Sequence, residues 1–398
     1  MPSVCFYFQV HQPCRVKKYQ VFDIGEDHDY FFNPQDEKLD NERIFDKVSK
    51  NCYLKTNNLI LELLEEVPDF KCAFSLSGIF LDQAREFSRE VLDSFSELIN
   101  HPKVEILSET YHHSLAFLHS EAEFRRQVNL HREEVRDLFS ADPEIFRNTE
   151  LIFNDDLAKT ISDMGYEAML AEGEDSMLGW RSPDFIYNAR AAQDLKLLLK
   201  NYRLSDDIAF RFSNEDWEDY PLTAEKFANW IHSKNGNGEV VNLFMDYETF
   251  GEHQWEDTGI FDFFKQMPKE ILKHPDNDFV TPSEAIDKYE PKDEVGTEDY
   301  ISWADVERDL SAWTENKLQQ QALKNIYQLE DKVLSVENDK IKEDWRRLQT
   351  SDHFYYMCTK WFEDGDVHAY FNPYETPYEA FTTYMNVLKD LEYRIKKS

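Results

Sequence analysis

The sequence predicts an α/β fold built on a parallel sheet, either closed into a barrel or open and doubly wound, followed by a helical domain. Two observations carry this reading. Over residues 1–290, short apolar β-like runs alternate about seven times with amphipathic helical patterns, and such alternation buries a parallel sheet under its crossover helices. After the polar stretch Tyr289-Glu290-Pro291-Lys292-Asp293-Glu294 the character changes. Residues 291–398 read as a C-terminal helical domain.

The strand-like runs fall, in order, at residues 4–10, 71–77, 104–108, 145–151, 167–171, near 197–204, and 240–245. Between them, residues 58–66 and 121–136 carry apolar positions at helical spacing, the second through Phe124, Val128 and Val135. Beyond the connector, residues 304–334, 340–348 and 378–395 have helical periodicity. Trp303 and Trp313, ten positions apart, would share a helix face close to three turns apart.

Composition narrows the class. The chain has 398 residues, is 41% hydrophobic and 15% aromatic, and so has material for a large core. Its 79 acidic and 44 basic residues give a net charge of −35. That field repels phosphate backbones and anionic membranes, so neither nucleic acid nor membrane is an expected partner. A neutral polymer would be indifferent to it. The five cysteines are scattered and form no CxxC pair, which argues against a disulfide framework and a thiolate zinc site. Residues 1–10 start a strand with no basic leader, and no apolar run approaches ~20 residues. A cytoplasmic protein without cofactor or metal is expected.

Polar chemistry gathers at the strand ends, where a parallel barrel places its active site. These ends carry His11-Gln12-Pro13, Glu109-Thr110-Tyr111-His112-His113, Arg147-Asn148-Thr149-Glu150, Ser205-Asp206-Asp207 and Asp246-Tyr247-Glu248, the last leading to His253 and Trp255. Acid/base groups beside aromatic rings suit sugar chemistry, because rings stack on pyranose faces while carboxyls act on the glycosidic oxygen. Plainer readings stand beside this one. His11 could be a hydrogen-bonded structural histidine, Asp206-Asp207 a helix N-cap pair, and residues 246–255 a solvated acidic loop. Of His112 and His113, adjacent in the chain, at most one is expected to enter a pocket. Trp180, Trp255, Trp303, Trp313 and Trp361 are candidates for stacking on sugar or for packing.

Five motifs in this order resemble those of glycoside hydrolase family 57: His11-Gln12-Pro13, Arg147-Asn148-Thr149-Glu150-Leu151, Asp246 through His253, Thr281-Pro282-Ser283-Glu284-Ala285-Ile286 and Ser351-Asp352-His353-Phe354-Tyr355-Tyr356. The resemblance implies a seven-stranded parallel (β/α) barrel followed by a C-terminal α-helical bundle that helps close the active site. It also implies a retaining enzyme acting on α-1,4 bonds of starch- or glycogen-like glucans or maltooligosaccharides. Carried over residue by residue, Glu150 is the nucleophile and Asp246 the general acid/base. His11, His113, Glu248, His253, Trp255 and Asp352 are implied substrate-binding residues.

Asp246 should then have its pKa raised by burial and by Glu150 and Glu248, and Glu150 needs a nearby donor, Arg147 or a histidine. The tetrad Asn-Thr-Glu-Leu is not the Trp-rich version of branching and transferase members, and Gln9 replaces a second histidine found in some members. Both departures lean toward the amylase-like branch. A 4-α-glucanotransferase or branching enzyme with the same two carboxylates, a metal-dependent carbohydrate deacetylase, and a non-catalytic glucan-binding protein are the alternatives. No HxxxH pair with adjoining Asp-Asp supports the deacetylase.

Overall fold

The computed structural model describes residues 2–360 and 367–398. Trp361, one of the stacking candidates, lies outside the described residues. The strands are β1 (Ser3–Val10), β2 (Cys72–Leu76), β3 (Val104–Ile106), β4 (Ile145–Arg147), β5 (Ala168–Glu172), β6 (Tyr187–Ala189), β7 (Ala192–Lys200), β8 (Val240–Asp246) and β9 (Glu294–Val295). Seven of them run parallel in the order β3-β2-β1-β8-β7-β5-β4. The ends of that series meet just beyond β3, where Ser108 N–H donates to Ile145 O at 3.0 Å and Arg147 N–H donates to Ser108 O at 2.8 Å. That pairing brings β3 and β4 together and makes the seven strands a barrel.

The barrel's side-chain parity follows from the two-residue period of a strand. On β1, Val4, Phe6, Phe8 and Val10 pack outward with Phe74, Leu243, Met245 and Phe264, while Cys5 and Tyr7 pack inward with Leu107, Ile145, Leu198 and Phe244. Both faces of β1 are therefore buried, and all eight of its residues are so. This is the signature of a parallel strand covered on both sides. Continuing each inward series to its strand end names the barrel-mouth residues: Cys5, Tyr7, Gln9 and then His11; Ile145 and then Arg147; Leu198 and then Lys200; Phe244 and then Asp246.

The sequence reading of the sixth strand needs correction. Its strand ends at Lys200, because the Asn201 side chain accepts the Leu204 N–H and starts the helix Tyr202–Ala209. Asp206 and Asp207 thus sit within a helix and are neither a strand end nor its cap. The short hairpin strand β6, antiparallel to β7, and its parallel partner β9 have no clear counterpart in the hydrophobic pattern.

The C-terminal part contains Ser311–Thr314, Lys317–Tyr327, Glu330–Ser335, Asp339–Arg347, Ser351–Tyr355, Val367–Phe371 and Pro377–Lys397 as helices. Their core, with Trp313 and Trp345 fully buried, merges with Cys14, Val16, Tyr19 and Tyr30 from the loop after β1. Residues 304–310 are not helical, so Trp303 and Trp313 do not share a helix face. Instead Ile301 pairs with Phe153, which brings Trp303 back onto the barrel mouth.

Candidate active site

Glu150 sits in the tight turn Thr149–Leu151 immediately beyond β4. Its backbone is left-handed at φ 57°, and the next residue, Leu151, follows at φ 50°. Two consecutive non-glycine residues in that region carry strain, a state held only where the surroundings fix it. Both carboxylate oxygens are bound. His113 Nε2 is 3.0 Å from Oε1, and the Trp303 indole N–H donates to Oε2 at 2.7 Å.

His113 faces a carboxylate on each side, because its Nδ1 lies 3.3 Å from Glu109 Oε2. Burial alone would favour the neutral ring, but the bonds to Glu109 and Glu150 outweigh it and push the pKa up to about 9. The imidazolium in turn outweighs burial at both partners. Glu109 is held at about 2, and Glu150, with Arg147 also near, is held below the ordinary carboxylate range. His112 points away toward Glu343 Oε1 at 3.8 Å.

The His11 ring lies stacked on His113. Its Nδ1 is 2.7 Å from Ser77 Oγ and its Nε2 is 3.1 Å from Asp352 Oδ2, a residue of the helical part. Burial and the neighbouring His113 lower its pKa, against the raising pull of Asp352. Asp352 stays ionised, since His11 and His113 together outweigh its burial.

Asp246, at the end of β8, behaves in the opposite way to Glu150. Burial and then the negative charge of Glu150 push its pKa up to about 6, against the lowering pull of Arg147, Lys200 and His113. Glu248, two residues on, accepts from Tyr53 OH at 2.6 Å and rises to about 8 through burial and the charge of Asp246. Two carboxyls in one mouth are thereby set apart, one ionised and one able to hold a proton.

Arg147 lies beneath them with no exposed surface. None of its three side-chain nitrogens has a hydrogen-bond partner among the described residues, and its guanidinium sits 4.8 Å from the Trp303 ring centroid. The donors to Glu150 are therefore His113 and Trp303, while Arg147 acts through its field.

His253 and Trp255 lie farther along the β8 loop. His253 meets Phe371 edge-on at 5.4 Å, and Trp255 is half exposed under the Lys47 amine at 5.5 Å. The structure thus gathers Glu150, Asp246, His11, His113, Asp352 and Glu248 at the mouth, and sets His253 and Trp255 outside that cluster. The sequence reading does not single out Glu109 or Lys200 as site residues, and it offers Trp303 only as a ring for stacking or packing. A lysine closing the apolar run Leu197-Leu198-Leu199 was the available sign for Lys200.

The model of glycosyl hydrolase family 57 matches residues 5–301. The chain belongs to glycosyl hydrolase family 57. It is a glycosidase of that family, and the match covers Glu150 and Asp246 alike. The chain is 43% identical to a Methanocaldococcus jannaschii protein whose name proposes it as an alpha-amylase, across 99% of this chain and 85% of that one.

Solved structures share the fold at low identity. A branching enzyme of this family from Pyrococcus horikoshii superposes with a TM-score of 0.68 at 14% identity, over 93% of this chain and 87% of its own. The alpha-amylase AmyC of Thermotoga maritima gives 0.64 at 13%, over 100% and 96%. A 4-alpha-glucanotransferase from Thermococcus litoralis gives 0.58 at 17%, over 94% of this chain but only 55% of its own length. Among the described residues, no helix is long and apolar enough to cross a membrane, and no group of three or more His, Cys, Asp or Glu side chains is arranged to hold a metal ion.

Proposed function

We propose that this glycosidase cleaves α-1,4-glucosidic bonds of starch- or glycogen-type glucans or maltooligosaccharides with retention, through a covalent glycosyl-enzyme. The observation that carries the reading is the split between two carboxyls at one barrel mouth. Glu150 has a donor on each oxygen and is held ionised, whereas Asp246 is pushed up to about 6. A retaining glycosidase needs that pair of states.

In the first step Glu150 attacks the anomeric carbon as the glycosidic C–O bond breaks, and Asp246 passes its proton to the departing sugar oxygen. Ester formation removes the Glu150 charge, so one of the two influences raising the Asp246 pKa disappears. Asp246 is then ionised and takes a proton from water as that water attacks the anomeric carbon and releases Glu150. His11, stacked on the face of the His113 ring, and Asp352, bound to His11, are suited to bind sugar hydroxyls.

A second reading has a specific motive. Fold neighbours named as a branching enzyme and a 4-alpha-glucanotransferase share this architecture, and a sugar hydroxyl can replace water in the second step without change in either carboxyl. Product analysis on maltoheptaose in EDTA, with Glu150→Gln as control, separates the readings. Shorter oligomers alone mean hydrolysis; longer products beside shorter ones mean transfer; no products from the wild type would overturn the glucan assignment.

A further inference from the structure

Trp303 touches the Glu150 turn twice. Its indole N–H donates to Glu150 Oε2 at 2.7 Å, and its backbone N–H donates to Glu150 O at 3.2 Å. Two residues earlier the segment is pinned to the other side of the same turn, where Phe153 and Ile301 exchange N–H···O bonds of 2.9 and 3.0 Å. The strained turn at Glu150 and Leu151 is therefore bracketed by residues 301–303, which bind at Glu150 and at Phe153. Nothing in the sequence pattern of residues 291–303 marks that contact.

The ring itself is fixed by charge. Besides Arg147, the Lys200 amine lies 5.2 Å from its centroid. Lys200 is only 4% exposed and is held by Asp206 at 3.0 Å and Glu172 at 3.7 Å. Cations near the π face draw electron density from the indole and strengthen its N–H as a donor.

We propose that Trp303 is the positioning residue of the nucleophile, holding Glu150 Oε2 through a donor that carries no charge. The inference rests on Glu150 being the nucleophile. His113, the donor on Oε1, changes its charge with pH; an indole N–H does not, so the hold on Oε2 is the same across the working range. The hold also persists in the covalent intermediate when the other oxygen carries the sugar, and it then stabilises the carboxylate as it leaves. The titratable and charged groups facing Glu150 are His113, Arg147, Asp246, Asp352 and Tyr355. Replacing Trp303 alters none of those charges, so a shift of the Glu150 titration would report the lost hydrogen bond.

The test is Trp303→Phe, which keeps a ring and removes the N–H, assayed on maltoheptaose beside wild type and Glu150→Gln. The expected result is a fall in kcat of about tenfold or more with KM changed far less. The acid limb of the kcat/KM profile should move to higher pH, because an ionised Glu150 loses a donor. A raised KM with unchanged kcat and an unmoved acid limb would make Trp303 a stacking ring and overturn the inference. If circular dichroism shows the Phe variant unfolded, β-(3-benzothienyl)alanine at position 303 keeps the indole shape without the N–H, and the same readouts decide. Wild-type-like activity in Glu150→Gln would instead sink the nucleophile assignment. An inactive Glu150→Gln beside an unshifted Trp303 variant would sink only the positioning role.

Discussion

The imidazole rings of His11 and His113 lie stacked with centroids 4.0 Å apart and planes 18° from parallel, yet their pKa values are pushed in opposite directions. Glu109 and Glu150 on either side push His113 up; burial and the neighbouring His113 push His11 down. Two stacked imidazolium rings would repel, so the stack itself enforces the difference. It also joins Asp352 of the helical part to Glu150 through two rings. The contact of the helical part with the mouth and the environment of Glu150 are in this way part of one network.

The first prediction concerns pH. The proposed mechanism needs Asp246 protonated and Glu150 ionised. Activity should therefore decline as pH rises through about 6, where Asp246 loses its proton, and decline in acid below the ordinary carboxylate range, where Glu150 gains one. A kcat/KM profile on maltoheptaose checks this. A basic limb that stays in place in Asp246→Glu and in Glu150→Gln residual activity alike would assign it to another group.

His113 allows a prediction in stability as well as rate. Its folded pKa, about 9, lies above its ordinary value near 6.5. The stabilisation from its charge is therefore fully present below about pH 6.5 and is lost as pH rises through about 9. Compared with His113→Gln, the wild type should have its largest excess in unfolding free energy at pH 6 and little excess near pH 10. The same substitution should move the acid limb of kcat/KM upward, since Glu150 loses its charged donor. Equal stability differences at both pH values would show that the ring is not an imidazolium.

Much of this site was legible because strands impose parity. The inward series through Tyr7 and Gln9 leads to His11, and that through Phe244 leads to Asp246, so the apolar runs alone aimed both residues at one mouth. Glu150 was legible as a residue type but not as a conformation, since its left-handed turn depends on residues 301–303 returning across it. Asp206 was misplaced because Asn201 caps a helix two residues after β7, a local bond that the apolar pattern of residues 197–204 conceals. Trp303 was misread for a related reason. Helical spacing to Trp313 was visible in the chain, whereas its partner Glu150 is 153 positions away.

The proposed role of Asp246 as the acid on the leaving group gives a third expectation. Asp246→Asn should lower kcat on maltoheptaose by roughly 10²–10⁴-fold, the usual worth of a positioned acid. On a maltosyl fluoride, whose leaving group needs no proton, the first step should be nearly unimpaired and a glycosyl-enzyme should accumulate, visible by mass spectrometry of the intact protein. Equal loss on both substrates, with no trapped species, would mean that Asp246 is not the acid.

The fourth prediction is about what holds the loop after Asp246. Gly251 has φ 110°, and a Cβ placed there would stand 2.1 Å from Asn51 O, a backbone atom that cannot turn aside. Asn51 belongs to the Ser49–Tyr53 helical segment whose Tyr53 hydroxyl binds Glu248, so a shift at Gly251 would reach the Asp246–Glu248 pair. Gly236 is the natural comparison, with φ 87° and open space around its missing Cβ. Gly236→Ala should cost only the left-handed strain, about 1–2 kcal/mol. Gly251→Ala should cost about 3 kcal/mol or more and lower kcat as well, because strain and clash add. Denaturant unfolding of the two variants measures the difference directly. If both lost the same stability and Gly251→Ala kept full turnover, the close approach to Asn51 would not be what fixes this loop.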